Sequence, residues 1–237
     1  VFGNLGYQLS VAVLNAADYG VPQVRKRLFV LGVRAASRPY LPLPSHSNDP
    51  ASFENRARVL GYSLPWKVKP HVTVAQAFSS IPSSRLKAED NLVMRIGPEV
   101  RARMALIREG QNFHVLPEQM RPMCWRTGKH QGADTFGRLR RNTPAVTIRT
   151  CAYNPTKGRY IHPTQDRGLN TIEMAVLQGF PLTWRFKGAM VSVGRQIGNA
   201  VPPALGRRLG EIIAASILEA RGVRPDGKST LDPQQSS

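Results

Sequence analysis

The sequence predicts an α/β fold with an irregular, strongly basic lobe. Two runs rich in β-branched and aliphatic residues, 7–14 and 28–33, indicate buried strands near the start of the chain. Apolar residues recur at helical spacing over 202–220, near its end. The region between is rich in proline and arginine and shows no long periodic pattern. The 237 residues allow one large domain or two small ones.

The charge balance predicts a polyanionic partner. Lys and Arg number 33 against 15 Asp and Glu, a formal net charge of +18, which is typical of proteins that bind nucleic acid. A hydrophobic fraction of 41% excludes wholesale disorder. We expect no membrane partner, because no apolar run approaches the roughly 20 residues of a membrane span. Cys124 and Cys151 are too few for a disulfide framework or a thiolate metal cluster, and they indicate a reducing, intracellular compartment.

The predicted strands lie at the start of the chain. Since the sequence begins with Val1 rather than Met and soon enters the first strand, we expect a fragment that starts within a fold. A turn-like stretch over 15–20 follows the first strand. The second strand is almost entirely apolar, so we expect both faces of its sheet to be covered. Repeated prolines make 35–70 a predicted loop.

Helix signals begin after this loop. Thr73 is a candidate N-cap for a short helix over 74–79, and Pro98 opens a second helix that reaches Arg108. A short strand is predicted over 145–150.

The last third of the chain carries the clearest helix boundaries. Asn170 and Glu173 resemble the start of a helix that ends at Gly179. Pro202 and Pro203 open a long helix that reaches Ala220. The residues beyond it are predicted to be a disordered tail.

Residues 23–27 are the first candidates for chemistry. On a strand, Gln23, Arg25 and Arg27 would project from one face, while Val24 and Lys26 would point the other way. One amide and two guanidiniums form a planar array of donors that suits phosphate or a base edge. A solvated basic strand is the alternative interpretation.

A second candidate lies before the long helix. Gly198 would allow a sharp turn, and Asn199 would then lie near the free N–H groups of a helix start, a setting that favours a polar or anionic ligand. Alternatively, Asn199 is only the N-cap of that helix. His162, in a proline-bounded loop, is expected to be a structural hydrogen-bonding residue. No His, Cys or carboxylate set has metal-ligand spacing, so no metal site is predicted.

Several stretches, taken in order, resemble the C-terminal half of a DNA cytosine-C5 methyltransferase. Residues 15–27, with Gln-Val-Arg-Lys-Arg at their end, resemble the family's eighth motif, QxRxR. Residues 159–181 resemble the ninth motif, and 142–148 resemble the P-x-x-T-I approach to it. Residues 196–203, QIGNAVPP, resemble the tenth motif.

The resemblance implies a fold and a division of the chain. The fold would be the C-terminal part of a Rossmann-like S-adenosylmethionine-dependent methyltransferase sheet plus an irregular target-recognition lobe. Residues 1–34 would end the catalytic-domain sheet, 35–148 would form the target-recognition region, 149–221 would return to the catalytic domain, and 222–237 would be the disordered tail.

The resemblance also assigns roles to individual residues. Arg27 would contact the flipped-out cytosine, and Arg25 and Gln23 would organise that site and the DNA backbone. Asn199 and Val201 would contact S-adenosylmethionine. The expected partner is double-stranded DNA, located in the nucleus of a eukaryote or in the cytoplasm or nucleoid of a bacterium. Candidate contacts to it, mostly to phosphate, are Arg126, Lys129, Arg138, Arg140 and Arg141.

Three motifs of the family do not occur in this sequence. They are Pro-Cys-Gln with the nucleophile, Glu-Asn-Val with the cytosine-binding carboxylate, and Phe-x-Gly-x-Gly at the cofactor loop. We therefore expect the chain to be inactive alone and to need an N-terminal catalytic portion, in cis or as a separate subunit. The alternatives are a catalytically inactive DNA-binding or regulatory module, and a family member that acts on RNA.

Overall fold

The computed structural model describes residues 2–34, 38–127 and 134–220. The chain divides into two compact units. Among the described residues, unit 1 comprises 2–20, 26–34, 38–70 and 203–220, and unit 2 comprises 21–25, 71–127 and 134–202. This division separates 35–70 from the rest of the predicted target-recognition region, whose functional boundaries stay a prediction. The predicted tail lies outside the described residues.

A two-stranded antiparallel sheet forms the first part of unit 1. Strand β1 spans Gln8–Asn15 and strand β2 spans Lys26–Val33, so both predicted strands are confirmed. Their register pairs Val11 with Val30 and Val13 with Leu28.

One face of this sheet is exposed, which makes the expectation of two covered faces wrong for the described chain. Val11 is 56% exposed, Val13 63%, Leu28 66% and Val30 52%. The register places these four side chains on the same face, because residues two apart on a strand and their cross-strand partners point the same way.

Unit 1 also contains a helix within the predicted loop. Helix α1 spans Pro50–Val59, and the Asp49 side chain accepts a hydrogen bond from the Ser52 amide at 3.0 Å. An acidic N-cap followed by proline is a helix start, so the loop prediction for 35–70 is wrong in this stretch. Two short strands, β3 (His46–Ser47) and β4 (Lys69–Pro70), pair in parallel.

The regular elements of unit 2 are helices, which long irregular segments connect. Helix α2 spans Val74–Ser79, and Thr73 and Gln76 form a capping box at its start, as the sequence predicts. The other helices before the ninth-motif stretch are α3 (Ser83–Leu86), α4 (Pro98–Ala105) and α5 (Met123–Arg126). Helix α4 ends three residues before the predicted Arg108.

The last three helices contain the stretches that resemble the ninth and tenth motifs. Helix α6 spans Thr171–Gln178, with a capping box of Asn170 and Glu173 and a left-handed Gly179 (φ 86°) at its end. Helix α7 spans Met190–Asn199 and was not predicted. Helix α8 spans Pro203–Ala220 in unit 1 and packs against β2, which confirms the long terminal helix.

Helix α7 lies close to the backbone of Arg149 and Thr150. A Cβ atom on Gly194 would stand 2.5 Å from the Thr150 carbonyl oxygen, and one on Gly198 would stand 2.3 Å from the Thr150 nitrogen. Only glycine permits this approach. Gly198 therefore serves close packing within a helix, and the predicted turn at this residue is wrong.

The strand predicted at 145–150 is also wrong. Ala145 forms an isolated parallel bridge with Gln23 and no strand continues from it. The following residues instead enter the core of unit 2, where Ile148, Tyr160 and Leu177 are fully buried. Within the described ranges, no helix is long and apolar enough to cross a membrane.

Candidate functional site

Gln23 is fully buried in unit 2, and both ends of its amide are bonded. Its Nε2 donates to the Leu177 carbonyl at 2.9 Å and to Gln178 Oε1 at 2.6 Å. Its Oε1 accepts from the Ile148 amide at 2.9 Å. No free donor of Gln23 is left for phosphate.

Arg25 is also buried in unit 2. It is 8% exposed, and its two terminal nitrogens donate to the Ile148 carbonyl at 3.0 Å and to the Gly198 carbonyl at 2.9 Å. Gln23 and Arg25 precede β2, so they do not share a strand face with Arg27. The predicted array of three donors is therefore wrong, and so is its alternative of a solvated strand at Arg25. The parallel bridge between Gln23 and Ala145 turns this segment inward.

Arg27 differs from these two residues. It lies on β2 in unit 1 and is exposed, and its Nη1 donates to the Lys26 carbonyl at 2.7 Å. The rest of its fork of donors lies at the surface. Of the three residues, Arg27 is therefore the one with a guanidinium available to a ligand.

Asn199 and Val201 lie at the end of α7. Asn199 is the last residue of that helix and is exposed, and Val201 is 56% exposed. Helix α8 begins only at Pro203, so Asn199 does not cap it. The predicted position of Asn199 at a helix start is also wrong, because the residue ends α7. The Asn199 side chain makes no hydrogen bond with any residue that the structure describes, which leaves a complete amide for a ligand.

Among the predicted DNA contacts that the structure describes, Arg138 is the most enclosed. It is 5% exposed, and all five N–H groups of its guanidinium donate within unit 2. The acceptors are the carbonyls of Met104, Ile107, His162 and Gln165 and the carboxylate of Asp166, at 2.5 to 2.9 Å. We correct the prediction for this residue, because Arg138 has no donor left for DNA.

Three other predicted contacts are exposed. Arg126 donates to two nearby carbonyls, Arg140 lies over Gly110, and Arg141 pairs with Glu109. Burial acts to raise the pKa of Glu109, but its hydrogen bonds with Arg141 and the charge of that residue outweigh burial and lower it. Lys129, the remaining prediction, lies outside the described residues.

His162 belongs to a polar network that the sequence only partly indicates. Its Nδ1 accepts from the amides of Thr164 at 3.2 Å and Gln165 at 3.1 Å, which confirms the structural role. Its Nε2 lies 3.6 Å from Glu173, whose carboxylate also accepts two bonds from Arg167. Burial lowers the pKa of His162 to about 4, so the ring is neutral at pH 7.

Gln178 is a residue that the sequence analysis missed. It is fully buried, and its Nε2 donates to the Ala200 carbonyl at 2.6 Å while its Oε1 accepts from Gln23. The signal for it was its place beside Gly179 in the ninth-motif stretch, but only the fold reveals its two partners. Among the described residues, no three His, Cys, Asp or Glu side chains lie close enough together to hold a metal ion.

The chain resembles known methyltransferases over most of its length. The family model for C-5 cytosine-specific DNA methylase matches residues 1–215. The type II methyltransferase M.NgoFVII of Neisseria gonorrhoeae is 35% identical over 202 residues, which cover 85% of this chain and 48% of that protein. The type II methylase M.HgiDII of Herpetosiphon aurantiacus is 33% identical over 219 residues, 90% of this chain and 56% of that protein. The chain thus spans about half the length of these relatives.

Solved structures show the same fold. A prophage-encoded E. coli protein described as a DNA modification methyltransferase matches with a TM-score of 0.57 at 19% identity, over 90% of this chain and 62% of that one. The Entamoeba histolytica methyltransferase EhMeth matches with a TM-score of 0.50 at 11% identity, over 90% and 55%. With the family match over residues 1–215, the chain belongs to the C-5 cytosine-specific DNA methylases.

Proposed function

We propose that this chain supplies target recognition, the contact to the flipped cytosine and part of the S-adenosylmethionine site of a DNA (cytosine-5-)-methyltransferase. The observation that carries the proposal is the contrast between neighbouring arginines. Arg25 is bonded inside unit 2, whereas Arg27 is exposed with free donors. The enzyme would act on double-stranded DNA inside the cell.

Arg27 is the proposed contact to the target base. A methyltransferase that attacks a ring atom of cytosine must take the base out of the duplex. An exposed guanidinium, with its planar fork of donors, suits the oxygen of an extruded cytosine. Gln23 and Arg25 act differently, because they hold the chain that leads to Arg27 through bonds to protein carbonyls.

Asn199 and Val201 fit a share of the cofactor site. S-adenosylmethionine supplies the activated methyl group. The free amide of Asn199 offers two N–H donors and an acceptor oxygen, and the exposed Val201 side chain offers an apolar contact. These two residues alone do not enclose a ligand, so the remaining contacts belong to another part of the enzyme.

Arg126, Arg140 and Arg141 are proposed contacts to DNA, mostly to phosphate. All three are exposed, and phosphate contacts set the position of a protein on the duplex. Arg141 shares its charge with Glu109, so we expect it to contribute less than the other two.

The rest of the catalytic machinery is proposed to reside in a further portion of the enzyme, in cis or as a separate subunit. The chain lacks the Pro-Cys-Gln, Glu-Asn-Val and Phe-x-Gly-x-Gly motifs and spans about half of its relatives. The exposed face of Val11, Val13, Leu28 and Val30 is suited to cover by that portion, because adjacent large apolar residues at a surface mark interaction sites. This sheet would be the end of a Rossmann-like sheet that the other portion completes.

The missing nucleophile motif also favours a second candidate function, a DNA-binding or regulatory module without catalytic activity. The two candidates differ in one measurable property. A part of an enzyme gains methyl transfer when the other part is added, whereas a regulatory module binds DNA without such a gain.

The test measures transfer of a labelled methyl group to double-stranded DNA. We expect no transfer by the chain alone, and transfer when a polypeptide with the missing motifs is fused to it or added. Arg27→Ala should abolish the restored transfer and weaken DNA binding only slightly. Arg56→Ala, which removes an exposed arginine of α1, is the matched control and should retain activity.

Each contrary result has its own meaning. Normal transfer by Arg27→Ala would refute the role of Arg27. DNA binding without restored transfer would favour the regulatory module.

A further inference from the structure

We propose that Gln178 is a positioning residue that sets the backbone of the eighth-motif and tenth-motif segments at the same time. This inference rests on the proposed function for its consequence in the reaction. Its structural part rests on contacts within unit 2 alone. Gln178 is the last residue of α6, and its side chain bonds to Gln23 and to the Ala200 carbonyl.

The two ends of the Gln178 amide bind different segments. Its oxygen accepts from Gln23 Nε2 at 2.6 Å, and its nitrogen donates to the Ala200 carbonyl at 2.6 Å. Gln23 in turn accepts from the Ile148 amide. A continuous chain of hydrogen bonds therefore runs from the core segment at Ile148 through two side-chain amides to Ala200.

Because both amides are buried, this series of hydrogen bonds requires glutamine at position 178. Gln23 and Gln178 are both 0% exposed, so water cannot replace a lost partner without cost. Glutamate at 178 would keep the acceptor but lose the donor to Ala200. Methionine would have nearly the same length and lose both bonds.

The bonded backbone groups lie next to the proposed functional residues. Ala200 stands between Asn199 and Val201, so the bond from Gln178 fixes the Ala200–Val201 peptide, between the two proposed cofactor contacts. Gln23 lies four residues before Arg27, and Arg25 adds a second bond from the same segment to Gly198. Displacements of about 1 Å can lower turnover about 100-fold, so this support affects the reaction without touching a substrate.

The two ends of the amide can be tested separately with Gln178→Glu and Gln178→Met. The first readout is amide hydrogen exchange of the chain itself, which needs no activity. We expect Gln178→Glu to speed exchange about tenfold at Asn199–Val201 and to leave residues 23–27 unchanged. Gln178→Met should speed exchange in both segments.

The matched control is Gln76→Met. Gln76 takes part in the capping box of α2, so the same substitution disturbs a structural hydrogen bond without a link to either segment. It should lower the unfolding temperature and leave exchange in both segments unchanged.

The second readout is kinetic and uses the methyltransferase with all its motifs present. Gln178→Glu should raise KM for S-adenosylmethionine about tenfold, while fluorescence of 2-aminopurine at the target base, which reports base flipping, stays as in the wild type. Gln178→Met should raise that KM and also reduce the fluorescence. Gln76→Met should change neither.

Two results would overturn the inference. One is exchange in Gln178→Glu and Gln178→Met that matches the wild type in both segments. The other is altered exchange with unchanged KM and base flipping, which would make Gln178 structural only. If the wild-type enzyme transfers no methyl group but the exchange pattern is as expected, the proposed function fails and the link between the segments stands.

Discussion

Gly198→Ala tests the close approach of α7 to the chain at Arg149 and Thr150. The new Cβ would lie 2.3 Å from the Thr150 nitrogen and 2.5 Å from the Arg149 carbonyl carbon. Both atoms are backbone, so the helix itself must move about 1 Å to reach ordinary van der Waals distance. Overpacking of this kind costs about 1–3 kcal/mol.

The change in the free energy of unfolding also includes a weakened hydrogen bond and a gain in helix propensity. The Gly198 carbonyl accepts from the Arg25 guanidinium at 2.9 Å, and such bonds to charged groups are worth about 1.5–3 kcal/mol. Moving the helix weakens this bond. Alanine regains about 1 kcal/mol of helix propensity over glycine. We therefore expect the free energy of unfolding to fall by about 2–3 kcal/mol.

Gly210→Ala is the matched control. Gly210 lies in α8, and a Cβ there would have no atom within 4 Å, so this variant should gain up to about 1 kcal/mol. Urea unfolding followed by circular dichroism at 222 nm measures both variants. If Gly198→Ala is stabilised as Gly210→Ala is, the close approach does not exist in solution.

Three further predictions concern buried polar groups. Arg138→Lys leaves at most three donors for five acceptors and should lower the free energy of unfolding by about 2–5 kcal/mol, measured by thermal unfolding. The control Arg140→Lys, at the surface, should change it by less than about 0.5 kcal/mol. Equal melting temperatures of the two variants would contradict the buried role of Arg138. Because burial lowers the pKa of His162 from 6.5 to about 4, the unfolded chain binds more protons between these values, so stability should fall as the pH drops from 6.5 toward 4. The stability of His162→Asn should depend less on pH in this range. A pH profile of stability that matches the wild type would contradict the prediction. Burial first, and the charge of Asp18 second, raise the pKa of Tyr19 from 10.0 to about 12. Between these values the unfolded chain has lost the phenol proton and the folded chain has kept it, so the free energy of unfolding should fall as the pH rises from 10 toward 12. Ultraviolet titration in which Tyr19→Phe removes a tyrosine that ionises near pH 10 would refute this assignment.

Local signals predicted much of the fold. The capping box of Asn170 and Glu173 and the glycine after α6 lie within one stretch of sequence, so the helix could be located from it. The cap of Thr73 worked in the same way. Helix α7 escaped prediction because Gly194 and Gly198, which weaken a helix locally, are required by a backbone segment more than 40 residues away.

The candidate site was predictable in its residue types and less so in their partners. The spacing of Gln23 and Arg25 fits a strand face, but only the fold reveals that acceptors on Ile148, Leu177 and Gly198 bind their donors. Arg138 poses the same problem, because a guanidinium at a surface and one in a core look alike in a sequence. The predictions for Arg27 and Asn199 did not depend on a distant partner, because both side chains are exposed.

The buried arginines change what the net charge of +18 means for the proposed binding to DNA. Arg25, Arg85 and Arg138 are each at most 8% exposed, and carbonyls or carboxylates of the protein accept from their guanidiniums. A cation releases counterions from DNA only if it reaches a phosphate, and the slope of log K against log salt counts those contacts. That slope should therefore report only the exposed arginines and lysines, and fewer phosphate contacts than the composition suggests. In this protein arginine both builds the interior and provides surface charge, so the total charge overstates the charge that the proposed DNA binding could use.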